Sequence, residues 1–321
     1  MRVLVTGSAG HLGEGLMRLL PDAIGLDVLE SPYTSVVGSV ADAALVRRCV
    51  EGVDAIVHAA TLHKPHVGSH GRQEFVDTNI TGTLTLLEAA VAAGVRRFVF
   101  TSTTSAFGRA LTPPPGAPAA WIDEDVVPVP RNIYGATKTA AEDLCELVHR
   151  DHGLPCVILR TSRFFPEGDD REDVRAGYDD VNIKVNELLN RRVELADAVD
   201  AHRLALERAP ELGFGRYIIT ATTPFTRADL AELRADAPAV VRRLHPEYED
   251  VYAARGWQMF PGFERVYDNA RARRDLGWAP RYDFGSAIAR LAAGEEWRSP
   301  LALAVGSKGF HPEPDGVYTL R

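Results

Sequence analysis

The run Met1-Arg2-Val3-Leu4-Val5-Thr6-Gly7-Ser8-Ala9-Gly10-His11-Leu12-Gly13 decides how the rest of the chain is read. An apolar stretch, Val3 to Val5, ends in three glycines, each separated from the next by two residues. The segment from Glu14 to Leu20 then has the apolar spacing of a buried helix. Strand, tight turn and helix follow in that order. The turn wants glycine because the backbone must bend sharply and then approach an anion, and the start of a helix favours a phosphate. A dinucleotide pyrophosphate fits such a turn.

Working outward, Ala23 to Asp27 is a second strand that closes on an acid. It lies about twenty residues beyond the first glycine, where a carboxylate accepts hydrogen bonds from ribose hydroxyls and repels a 2′-phosphate. NAD is therefore expected over NADP, and no arginine directly follows Asp27. Ser35 to Gly38 gives a third short strand, with Ser39 and Val40 at the edge where an adenine would lie. Asp54 to Ala60 is a fourth, its small Ala59 and Ala60 letting a cofactor pack on the backbone. Arg97 to Ser102 is a fifth and ends in Thr103, Thr104 and Ser105; Leu154 to Arg160 and Gly215 to Thr220 supply two more. Helices are expected over Ala43 to Val50, Asn79 to Gly94, Asn132 to His149 and Val181 to Arg192, with a capped helix from Thr226. This alternation predicts an α/β fold: a Rossmann, doubly wound parallel sheet with ligands at the carboxyl ends of its strands. Arg109 to Pro130, with its triple proline, reads as a loop.

The 321 residues are 45% hydrophobic, enough for a substantial core, and suit a larger domain over 1–165 and a smaller substrate-binding domain over 166–321. A net charge of −8 without a dense basic tract argues against a nucleic-acid partner. No apolar run approaches a membrane span, and a strand beginning at residue 2 leaves no room for a signal peptide. Three cysteines without metal spacing read as buried thiols in a reducing compartment, so the cytoplasm is expected. His63, Lys64, His66 and His70 are too irregularly spaced for a metal centre and read instead as a polar lip over a substrate pocket. The Tyr248 to Phe263 segment, with Tyr252, Trp257 and Phe260, suits either closure over a sugar or ordinary packing.

Tyr134 and Lys138 are one helical turn apart and share a face. A lysine ammonium near a tyrosine favours the phenolate, which can take a proton from a substrate hydroxyl while Thr103 hydrogen-bonds the same oxygen. Together with Gly7, Gly10 and Gly13, Asp27, His58-Ala59-Ala60, Asn79, Thr101-Ser102-Thr103, Phe107-Gly108 and the late Leu276-Gly277-Trp278, this pattern resembles the extended short-chain dehydrogenases/reductases. More narrowly, it resembles their NAD-dependent epimerase/dehydratase group. The resemblance implies Thr103, Tyr134 and Lys138 as the catalytic hydroxyl, the base and its electrostatic partner. It implies an NAD site of Gly7, Gly10, His11, Leu12, Gly13, Asp27, Ser39, Val40, Ala59, Ala60, Asn79 and Thr101, shared with Tyr134 and Lys138. A homodimer through the Asn79 and Tyr134 helices is implied as well.

Departures from the group narrow the reaction. Its sugar-nucleotide dehydratases carry Asp-Glu directly after the threonine, where this chain has Thr104 and Ser105, so epimerisation is expected over dehydration. The segment between Arg160 and Asp197 is short for gripping a nucleotide diphosphate and is similar to that of the compact uronate dehydrogenases. Lys64, Thr104, Arg160 and Arg163 are the expected substrate contacts, with Arg160 or Arg163 suited to a carboxylate or phosphate. The alternative for Arg163 is pairing with an acid among Asp169, Asp170, Glu172 and Asp173. Oxidation of a free sugar or sugar acid is the rival activity, and a non-catalytic NAD sensor the third reading.

Overall fold

The computed structural model describes residues 1–309. Its strands are β1 (Val3–Thr6), β2 (Ile24–Asp27), β3 (Val36–Val37), β4 (Ala55–His58), β5 (Arg97–Thr103), β6 (Ala120–Ile122), β7 (Cys156–Thr161), β8 (Phe214–Ile219) and β9 (Arg265–Tyr267). Seven of them form one parallel sheet in the order β3-β2-β1-β4-β5-β7-β8. The direction of winding reverses between β1 and β4, and a crevice opens at the carboxyl ends of the strands there. The doubly wound sheet read from the sequence is thus present, and the last predicted strand does return to it as β8.

Strand alternation builds two apolar layers. Val3, Val5, Val57 and Val99 face the Leu195–Leu212 helix and the helix His11–Leu19, whose Leu12 and Leu16 are buried against them. Leu4, Ile56, Phe98 and Phe100 face the opposite way, onto Leu86, Leu87 and Cys145 of the Gly82–Ala92 and Ile133–His152 helices. A third cluster, including Val185, Phe225, Val240, Phe263 and Phe284, gathers residues from the second half of the chain. Trp278 belongs to the sheet instead: it is buried in the first layer, where its indole N–H donates to the Asp197 carbonyl at 3.0 Å.

Three expectations change. The Arg109 to Pro130 segment is not all loop, because β6 pairs in parallel with β9, a partner far along the chain that local sequence does not announce. The Asn79 helix opens with a wide π turn over Val76–Thr81 before the α-helix Gly82–Ala92. The helix expected to reach Arg192 spans Asp180–Glu187, where the Asp179 side chain caps Val181 and Asn182. The Ile133–His152 helix starts where predicted, with the Asn132 side chain accepting from Gly135 N–H. All three cysteines are buried free thiols. Among the described residues no helix is long and apolar enough to cross a membrane. Residues 310–321 lie outside the described residues.

Candidate active site

The crevice is a cleft of about 1450 Å³ running across the ends of β2, β1, β4 and β5. At one end Gly7 takes φ +74°, and a Cβ there would lie 2.7 Å from the Ala60 nitrogen. A Cβ on Gly13 would lie 1.9 Å from the Gly7 carbonyl oxygen, so only glycine lets helix and turn meet. Gly10 is the N-cap of His11–Leu19 and brings no side chain to the first amides. Asp27 accepts from Ala9 N–H at 2.9 Å and from Leu29 N–H at 3.0 Å, tying the turn to the loop after β2. Each carboxylate oxygen has a second lone pair, which leaves capacity for ribose hydroxyls. Arg18, the nearest arginine in sequence, is held by Glu14 and lies over the Tyr33 ring, outside the cleft wall. His11, Leu12, Ser39, Val40, Ala59, Ala60 and Thr101 line the same cleft. A dinucleotide fits this cradle: the glycines clear a path for its pyrophosphate, and Asp27 closes the ribose end.

Tyr134, Thr103, Thr104 and Ser105 line the cleft beyond the end of β5. Burial pushes the Tyr134 phenol up to about 12, with the Thr103 side chain acting the other way. Lys138 is buried beneath the cleft wall with its Nζ 3.9 Å from the centre of the Phe100 ring. Burial pushes its ammonium down to about 7, and the nearby Glu142 carboxylate acts to raise it.

Asn79 does not reach the cleft. Its amide spans Leu62 N–H and Leu62 C=O, each at 2.9 Å, and donates to Thr137 at 3.0 Å. It therefore pins the Ile133–His152 helix to the loop after β4. His58 does comparable work. Thr83 donates to the Asn79 carbonyl at 2.6 Å, so it must accept from His58 Nε2–H, and His58 Nδ1 in turn accepts from Thr6. Burial holds this histidine neutral, well below its ordinary pKa.

The two arginines expected to hold substrate are both paired with carboxylates of the protein. Arg160 is 3% exposed and absent from the cleft wall; its guanidinium grips Glu142 at 2.7 Å and stacks over Phe107. A guanidinium placed on an inward position of β7 must be paired inside the protein, and Glu142 on the adjoining helix is within reach. Arg163 lines the cleft, yet it is bound to Asp169 at 2.6 Å, Asp170 at 3.0 Å and Glu187 at 3.3 Å. This is the loop-ordering alternative. Lys64 lines the cleft and pairs with Asp170, and His63, His66 and His70 line it too. Of the aromatic segment, Phe260 lines the cleft edge-on to Tyr178, while Tyr252 and Trp257 pack in the third core.

Residues 3–211 match the model of the NAD dependent epimerase/dehydratase family. The chain belongs to that family. It is an NAD-dependent enzyme of the extended short-chain dehydrogenase/reductase type. The dTDP-glucose 4,6-dehydratase of Streptomyces niveus is 31% identical over 96% of this chain and 99% of its own. The UDP-glucose 4-epimerase of Azospirillum brasilense is 28% identical over 96% and 95%. A short-chain dehydrogenase/reductase superfamily protein of Agrobacterium tumefaciens, solved with bound NAD, superposes with a TM-score of 0.65 at 24% identity, covering 91% of this chain and 96% of that one.

Two residues that matter to this family member do not stand out in its sequence. Glu142 stands one turn beyond Lys138, so the helical period that links Tyr134 to Lys138 also reaches it; it receives Ser102 Oγ as well as Arg160. Glu167 had no such signal. Its Oε1 accepts from Ser307 Oγ and the Lys308 and Gly309 amides and meets His11 Nε2 at 3.0 Å, fastening a distant segment beside the glycine turn.

Proposed function

We propose that the protein is an epimerase of a sugar or nucleotide-sugar, with Thr103, Tyr134 and Lys138 acting on one carbinol. NAD, held by the glycine turn and Asp27, would supply the acceptor and donor of hydride at that carbon. Tyr134 takes the hydroxyl proton and gives it back, and Thr103, which lines the cleft with it, holds the same oxygen. Lys138 lies one turn on, and in so buried a place its charge acts on the phenolate through little screening. Thr104 is proposed to contact the substrate from the cleft wall, with Lys64 and the histidine segment forming the facing lip.

The observation that carries this reading is the pair of side chains beside Thr103 in the cleft. Loss of water needs a general acid near the departing hydroxyl, and the two cleft positions there, Thr104 and Ser105, hold hydroxyls alone. That favours hydride return over dehydration, the two activities named among the relatives. The test is incubation with NAD and a panel of UDP-sugars and free uronic acids, reading product stereochemistry and NADH absorbance together. Interconversion of epimers without net NADH is expected; accumulation of NADH matching consumed substrate overturns epimerisation in favour of oxidation.

We also propose a homodimer through the Asn79 and Tyr134 helices. Leu147 on the Ile133–His152 helix is 40% exposed, an apolar side chain suited to a subunit contact. Leu147→Glu is expected to shift sedimentation towards the monomer.

A further inference from the structure

Seven arginine and lysine side chains line the cleft. Five are neutralised by carboxylates, as Arg171 is by Asp173 and Lys308 by Glu14. The remaining two, Arg131 and Arg265, have no carboxylate within ion-pair distance among the described residues, and they lie together. Arg131 Nη2 is 3.5 Å and Arg265 Nη2 3.3 Å from the same atom, Thr112 Oγ1. Arg265 is held further by the carbonyls of Gly108 at 3.2 Å and Ala110 at 3.4 Å.

The fold forces this meeting. Gly108 lies just past the catalytic hydroxyls of β5, takes φ +51° and bridges to Val129; a Cβ there would lie 2.1 Å from the Val129 carbonyl oxygen. That close crossing sets Arg131, three residues before Tyr134, beside the segment that anchors Arg265. Two like charges converging without a counter-charge repel, and backbone carbonyls fix one of them in place. An anion between them would relieve the repulsion, and each planar guanidinium still has N–H groups to offer.

We propose that Arg131 and Arg265 form an oxyanion site of the substrate, taking a carboxylate or a phosphate group on the β5 side of the cleft, away from Asp27. The inference rests on the reading of the cleft as a sugar site and gives that sugar a negative charge. It also moves anion recognition from β7, where Arg160 and Arg163 are internally paired, to the loop ahead of the catalytic helix and to β9.

The test is titration calorimetry of NAD-loaded protein with UDP, with glucuronate and with neutral methyl glucoside, on the wild type and on Arg131→Gln, Arg265→Gln and Arg109→Gln. Arg109 neighbours Gly108 but does not line the cleft. Loss of one charged hydrogen-bonding group is expected to weaken anion binding about 10- to 100-fold in the first two variants. Methyl glucoside and Arg109→Gln should show no change. Weakening of UDP alone identifies the anion as phosphate, and of glucuronate alone as carboxylate; either supports the site. Unchanged binding in both variants, an equal loss in Arg109→Gln, or no binding of either anion by the wild type overturns it. Arg265→Gln removes contacts to the Gly108 loop, whereas Arg131→Gln touches only a hydroxyl, so the latter keeps the test valid if the former unfolds. Binding is read apart from turnover: protein that binds anions yet turns over no sugar defeats the epimerase reading and leaves the site intact.

Discussion

As the proposed base, Tyr134 meets two demands that oppose each other: burial, which disfavours its phenolate, and proton abstraction, which needs it. The Thr103 side chain works against burial, the Lys138 ammonium is proposed to do the same from one helical turn away, and removing the phenol oxygen removes their common target. Tyr134→Phe is expected to lower turnover by at least about 10²-fold while NAD binding stays close to wild type, measured by steady-state rates and by cofactor titration. A near-normal rate would exclude Tyr134 as the base. The sequence made this residue legible because the tyrosine and lysine are related by helical period alone. It could not reveal that Asn79 serves the site from behind, since the bonds of that amide to Leu62 and Thr137 depend on how loop and helix are packed.

At the level of elements, the turn between β1 and the His11–Leu19 helix works because three residues lack side chains. In Gly13→Ala the new methyl would meet the Gly7 carbonyl, which is backbone and cannot rotate away. The expected result is a loss of about 1–3 kcal/mol of stability together with weakened NAD affinity, read by denaturant titration and calorimetry. The Ile133–His152 helix is joined to β7 by Arg160 and Glu142, 4% and 1% exposed at their side chains. Arg160→Met leaves the buried Glu142 carboxylate only the Ser102 hydroxyl and the longer contact to Arg216 at 3.3 Å. A destabilisation of about 1–3 kcal/mol is expected, whereas an arginine whose task was substrate binding would change KM and leave the melting temperature alone.

Across the whole molecule, buried charge makes stability depend on pH. Burial alone would raise the Glu187 carboxyl, but Arg163, Arg191 and Arg192 outweigh it and hold the group at about 2 against an ordinary 4.5. Its folded pKa lies below its unfolded one, so its contribution is complete above pH 4.5 and is lost as pH falls towards 2. His202, buried between Thr101 and the Ala198 carbonyl, is pushed down to about 4 from 6.5, so the fold also loses stability as pH falls between those values. Melting temperature should therefore decline below pH 6.5 and fall further below 4.5. Glu187→Gln should lower the melting temperature at about pH 7 and flatten the more acidic part of the curve; an unchanged acid limb would show that Glu187 does not govern it.

The sequence by itself determined the parallel sheet, the glycine turn with Asp27, and the Tyr134 and Lys138 pair. Each depends on strand alternation, helical period or backbone freedom, which act between residues close in the chain. Only the tertiary structure decided where the charges went. Arg160 and Arg163 looked like ligand contacts until folding brought Glu142, Asp169 and Glu187 to them, while Arg131 and Arg265, inconspicuous in sequence, were brought together without an acid. A charge is neutralised by whichever opposite charge lies near it in space, and that distance is fixed by sheet order and chain crossings, not by spacing along the chain.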